Sequence, residues 1–185
     1  SKAQFTGQIV TAPMAIYNKS ALDLDVSASA IATVKEGSTM KLATATTKAQ
    51  GTEGTEGYVP ASTSKSAFVQ LQVATTTVTS SADADESDDG IKDGIIGACA
   101  TDATWTGATP ITVGTKATAP VKVVTLVKPS LDASDGTFKK FNAGSIAVFR
   151  LTGDCVEDPK DAWATTDGFE ANVTFTFKPA ATVAP

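Results

Sequence analysis

The densest cluster of ligand-type side chains lies at 83–93, "DADESDDGIKD", where Asp83, Asp85, Glu86, Asp88, Asp89 and Asp93 put six carboxylates within eleven residues. Short acidic side chains around a glycine turn are what a hard cation such as calcium requires. With Asp85 as position 1, oxygen ligands stand at positions 1, 3, 5 and 9 and Gly90 at position 6, which is part of the acidic calcium-loop pattern. Position 12, where a bidentate Glu should close the cage, is Ile96, and no helical pattern flanks the stretch. A solvated acidic loop is the better account, so no residue is assigned as a metal ligand.

Other chemistry is scarce. The chain of 185 residues contains no histidine, which removes His-based triads, His acid–base catalysis and most zinc sites. Carboxylates, Lys, Tyr or Cys would have to carry any reaction, and no spacing singles out a set. The expectation is no enzyme, no catalytic residue and no cofactor. Cys99 and Cys155 are either a disulfide closing a long loop or two free thiols. Trp105, Trp163, Tyr17 and Tyr58 could stack on a sugar, but they share no motif and are expected as core and end plugs. Asn18 ("NKS") and Asn172 ("NVT") match glycosylation acceptors by chance in a chain rich in Ser and Thr. Neither "GTEGTEG" nor "GIKDGIIG" is a phosphate loop, because the first lacks the Lys-[Ser/Thr] ending and neither sits at a strand-to-helix junction.

Net charge is −5, with Arg150 the one arginine among scattered lysines. Phosphate binding needs concentrated cations, so nucleic acid and anionic membranes are not expected partners. No apolar run reaches the length of a membrane span, and the opening "SKAQFTGQIV" has no export-signal pattern; no membrane insertion is expected.

The elements that position these residues read as strands. Ala and Thr dominate and aromatics are only 6%, a bias that suits pleated, half-buried surfaces. "ALDLDVSA" sets Leu22, Leu24 and Val26 against Asp23, Asp25 and Ser27. "AFVQLQVATTTV" sets Val69, Leu71 and Val73 against Phe68, Gln70 and Gln72. "EANVTFTFK" sets Ala171, Val173, Phe175 and Phe177 against Glu170, Asn172, Thr174, Thr176 and Lys178. Period-2 alternation marks strands with one buried face. Weaker strands are predicted near 4–11, 38–46, 95–100, 119–127 and 144–151. The apolar runs "APVKVVTLV" and "GSIAVFRL" predict strands covered on both faces. "GSIAVFRL" and "EANVTFTFK" are expected to be neighbours, joined by a long loop, 152–168, that carries Cys155 and Trp163. Turn clusters separate these strands, and no capped 3.6-residue stripe marks a long helix. The fold class is therefore all-β, an antiparallel β-sandwich or jelly roll of about eight to nine strands. One domain, 1–185, is expected, with an extended N-terminal strand (1–11) and an extended C-terminal tail (179–185).

In "AQFTGQIVTAP", Ala3, Phe5, Gly7 and Ile9 alternate, and the stretch resembles the first strand of chaperone–usher pilins, F-x-G-x-[IV]-[VT]-x-A followed by a Cys. Met14 stands near the place of that Cys, and only four residues precede Phe5, too few for the donor strand that a pilin inserts into its neighbour. The likeness covers about a dozen residues of common strand composition. An all-β domain without catalytic groups is expected to be a building block. The leading expectation is a structural subunit of a large assembly, such as a phage head decoration (cement) protein on a virion surface. Its acidity suits an outer surface better than a genome-lining wall. It would join copies of itself or a capsid or filament lattice through edge strands and through arms at Ala3–Ile9 and Pro179–Pro185. The first alternative is an exported pilus or surface-filament subunit, extracellular or on the cell surface. The second is a carbohydrate-binding or calcium-dependent adhesive module.

Overall fold

A computed structural model describes residues 6–75, 110–142, 144–157 and 160–181. Among these residues there is no helix, and the chain is all-β. The strands are β1 (Thr6–Val10), β2 (Met14–Tyr17), β3 (Leu24–Val34), β4 (Lys41–Ala43), β5 (Ser66–Thr75), β6 (Ile111–Thr112), β7 (Val121–Leu126), β8 (Ser130–Leu131), β9 (Phe138–Lys140), β10 (Ile146–Val156) and β11 (Phe169–Pro179).

They form two packed sheets. In the first, β10 pairs with β5 on one side and with β1 and β2, end to end, on the other; β4 and β6 extend the β5 side. The second has the order β11-β3-β7. Every pairing is antiparallel except β4 on β5. The short hairpin β8–β9 lies against the outer face of the first sheet, where Phe138 and Phe141 gather with Tyr17 and Ile146.

Alternation decides which residues face inward. Val26, Ala28, Ala30 and Ala32 of β3 are buried, as are Ala67, Val69, Leu71 and Val73 of β5. The run of alanines leaves room for aromatic rings elsewhere in the layer, and Phe149 of β10 packs on Phe175 of β11 at 4.5 Å between ring centroids. The edge-tilted geometry of that pair adds to its area burial.

Several sequence expectations need correcting. The segments 144–151 and 170–178 are not hydrogen-bonded neighbours; they belong to opposite sheets and face each other across the core. The predicted loop 152–168 is half strand, because β10 continues to Val156 and carries Cys155 within it. Polar Thr152 and Asp154 and the glycine between them hide that continuation. A Cβ at Gly153 would stand 1.8 Å from the Phe68 carbonyl oxygen, so glycine is what lets β5 approach there. β10 is covered on both faces over Ile146–Phe149, as expected, but β7 buries one face only. The eleven described strands exceed eight to nine because β2, β6, β8 and β9 are too short to show periodicity. The strand predicted at 95–100 lies outside the described residues.

Candidate functional site

The two sheets end differently on their two flanks. Phe149 stands over Phe175, and Cys155 and Phe169 line one cavity, so the later part of β10 faces β11; the segment just before β10 lies by the end of β7, where Val127 N–H donates to the Gly144 carbonyl. β3, beside β11, lies towards β5 and β6. On the other side of β10, β2 ends by β7, because Asn18, the residue after it, donates to the Leu126 and Val127 carbonyls, and Ile9 of β1 shares the cavity with Phe169. Among the described residues nothing pairs with the outer edge of β11 or with the outer edge of β1–β2.

The inner faces of these edge strands are apolar. Pairing across β10 turns Ile9, Met14 and Ile16 to the inner face, opposite Gly153, Phe149 and Ala147. Leu151 and Cys155, on the inner face of a central strand, are only half-buried, as are Val173 and Phe175. Met14 is 52% exposed and Phe177 46% exposed. These inner-face positions keep more accessible surface among the described residues than the fully buried Val69 and Leu71 of β5 do.

A cavity of about 380 Å³ is lined by Ile9, Met40, Ala67, Cys155, Trp163 and Phe169. Burial pushes the Cys155 thiol up from its ordinary range, which makes it a poor nucleophile. Trp163 Nε1 is buried without a partner among the described residues.

The loop that crosses from β10 to β11 is held by an ion cluster that sequence periodicity gave no sign of. Lys65 Nζ donates to Asp167 at 2.7 Å, to Asp161 at 3.0 Å and to the Ala162 carbonyl at 3.2 Å. The Lys65 and Asp167 side chains are 3% and 2% exposed. Asp167 also accepts from the Ala164 and Thr39 N–H groups and the Ser38 hydroxyl. Lys65, followed by the contacts from Ala164, Ser38 and Thr39, holds the Asp167 carboxyl well below the usual carboxylate range. Asp167 in turn raises the Lys65 ammonium, against the pull of burial. All three ammonium protons are used, so the cluster pins a loop and has no free group for acid–base work. A second pin is Asp154 on the outer face of β10. Burial pushes its carboxyl up, but hydrogen bonds from the Thr46 and Thr47 hydroxyls and the Thr47 N–H outweigh this and leave it below the ordinary value.

The sequence-derived candidates are not brought together. The acidic stretch Asp83–Asp93, with Ile96, lies outside the described residues, as do Cys99 and Trp105. Tyr17 packs in the Phe138–Phe141 cluster, Trp163 packs on the main core, and Tyr58 sits in the loop beside Gly51. They form no shared platform. Asn18 is 1% exposed, and its amide donates to the Leu22 and Leu126 carbonyls at 2.7 and 3.1 Å, so it ties chain segments and is inaccessible to a glycosyl transferase. Asn172 is exposed on the outer face of β11. Among the described residues no group of His, Cys, Asp and Glu could hold a metal ion, and no helix is long and apolar enough to cross a membrane. Comparison with known protein families, with curated proteins and with solved structures finds no match.

Proposed function

We propose that this chain is a non-enzymatic structural subunit of a large assembly, working through its sheet edges. The observation that carries the reading is that the outer edges of β11 and of β1–β2 have no partner among the described residues, beside half-exposed apolar residues on the inner faces. Natural sheets guard such edges with Lys, Pro, bulges or covering loops, because an unguarded edge recruits another strand. β11 has eleven residues in unbroken register with β3 and no proline before Pro179. Such an edge is costly unless its use is association.

Within that class, a virion surface protein such as a phage head decoration protein is the first setting, and it agrees with the acidic composition. An exported filament subunit is the second, favoured by one observation: the Gly7 and Ile9 part of the pilin-like stretch falls in β1, at the edge of the first sheet. Two measurements test the class. Light scattering gives the mass of the purified chain, with and without a calcium chelator, and co-sedimentation with empty phage heads measures docking. The expected outcome is self-association or saturable docking that chelation leaves unchanged. A monomer that binds neither heads nor filaments overturns the reading.

A further inference from the structure

We propose that the cavity between the sheets is a binding site for a small, uncharged, largely apolar ring molecule. The inference goes beyond the assembly reading and does not depend on it.

The hollow begins in the strand ladders. Cys155 of β10 stands between Gly7 of β1 and Ala67 of β5, and residues directly opposite in a ladder share one face. Three short residues therefore lie side by side across three strands of the first sheet, whereas Leu151 and Leu71 fill the same face two rows away. Phe169 of β11 bounds the space from the second sheet, and Trp163 and Met40 bound it from the connecting loops. A space of about 380 Å³ remains, within the size range of small-molecule sites.

The aromatic wall of this space is held by charge. Lys65 Nζ donates to the Ala162 carbonyl at 3.2 Å, and the Ala164 N–H donates to Asp167 at 2.8 Å. The peptide groups before and after Trp163 are thus both tied to one buried ion pair. Asp167 also accepts from the Thr39 N–H at 3.1 Å, next to Met40, and itself precedes Gly168 and Phe169 in the chain. One cluster fixes the backbone on which four lining residues stand. Supporting hydrogen bonds of this kind let a pocket keep its shape when empty. A loop that only had to cover the core could be held by apolar contacts, without the desolvation of buried charge.

The lining selects the guest. Met40, Ala67 and Cys155 offer apolar surface, and the rings of Trp163 and Phe169 favour a flat ring. Burial holds the Cys155 thiol above its ordinary range, so it is neutral at neutral pH. Glu157 is the one charged residue among the described lining, so a negative guest would meet a carboxylate and no cation.

The test uses N-phenyl-1-naphthylamine, a neutral probe whose emission rises in apolar surroundings. The full chain carries Trp105→Phe and Cys99→Ser, which leave Trp163 and Cys155 as the single residues of their kinds. Binding should saturate at one probe per chain, with energy transfer from Trp163 to the bound probe. A probe excess should slow alkylation of Cys155 by N-ethylmaleimide at least about 10-fold, a readout that needs no change in the pocket wall. The anionic analogue 8-anilinonaphthalene-1-sulfonate should bind at least about 10-fold more weakly. Ala67→Met, which puts a longer side chain into the short row, should weaken the neutral probe at least about 10-fold, and Leu22→Ser, at an exposed position elsewhere, should not. If Ala67→Met fails to fold, energy transfer and Cys155 protection still decide. Absence of saturable binding overturns the site. Binding without energy transfer from Trp163, without protection of Cys155, or with equal affinity in a folded Ala67→Met chain places the probe elsewhere and also overturns it. Equal binding of the sulfonate overturns the assignment to uncharged guests.

Discussion

The flank formed by β4, β6 and the loops around them differs from the flank formed by β1, β2 and β11 in how backbone groups are satisfied. On the first, loop 114–118 stitches the edge of β3 beyond β7: Ala32 N–H donates to Gly114, Thr118 N–H to Ala30, and Ala30 N–H to the Thr118 hydroxyl. Lys65, Asp167 and Asp154 then fasten the neighbouring loops with buried charge. On the second, the outer edges of β11 and of β1–β2 have no partner among the described residues. The same chain seals one side with polar side chains and spends none on the other. Edge protection is therefore a local choice of residues and not a property of the sandwich.

The largest expected effects come from the shared core, and they define the baseline for either flank. Phe149→Ala should cost about 3–5 kcal/mol in urea unfolding, the usual cost of emptying an aromatic site. Gly153→Ala should cost about 3 kcal/mol, because the added Cβ meets the Phe68 backbone and not a movable side chain. A Gly153→Ala chain as stable as the parent would mean that β10 and β5 are farther apart than described. Asp154→Ala, on the sealed flank, should cost about 1–3 kcal/mol by stranding the buried Thr47 N–H.

The comparison sharpens with pH. Asp167 and Asp154 have folded pKa values below the ordinary carboxylate value, so their stabilisation is present above about pH 4 and fades as pH falls through the folded values. Lys65 is raised, so its contribution is full below about pH 10 and is lost as pH rises through the folded value. Denaturation midpoints should form a plateau between these limits, and Asp167→Asn should lower the plateau and flatten its acid limb. Among the described residues the inner faces of β1, β2 and β11 carry no ionised group, so association through those edges should be flat from about pH 5 to 9. A steep pH dependence of association in that range would place the interface elsewhere.

Much of the fold was legible because alternation is a local signal: β3, β5 and β11 can each be read from five or six consecutive side chains. β2 was not legible, since "MAIY" has only four residues and packs against two different clusters. The extension of β10 through Thr152 to Val156 was hidden because Asp154 is buried by partners more than a hundred residues away. Lys65 looked like an ordinary solvated lysine in "SSTSKSAF", and only the return of the chain at Asp161–Asp167 buries it. The cavity beside Cys155 and Phe169 is a relation between sheets, and no single strand's pattern encodes it.

The smallest expected effect separates exposure from position. Leu22 is 55% exposed and Phe177 is 46% exposed, so composition and accessibility treat them alike. Leu22 lies ahead of β3 in a connecting segment, whereas Phe177 is on the inner face of β11, an edge strand. In the folded single copy either residue replaced by Ser should change stability by roughly 0.5–1 kcal/mol or less. The readout that distinguishes them is association: Phe177→Ser should shift the assembled form towards monomer in concentration-dependent sedimentation, and Leu22→Ser should not. Equal shifts would point to general apolar stickiness, and no shift in either would mean that the open flank associates without its most exposed aromatic ring. The difference between the two flanks therefore turns on where an exposed apolar side chain sits in the ladder, because only a position beside unpaired backbone groups couples apolar burial to strand addition.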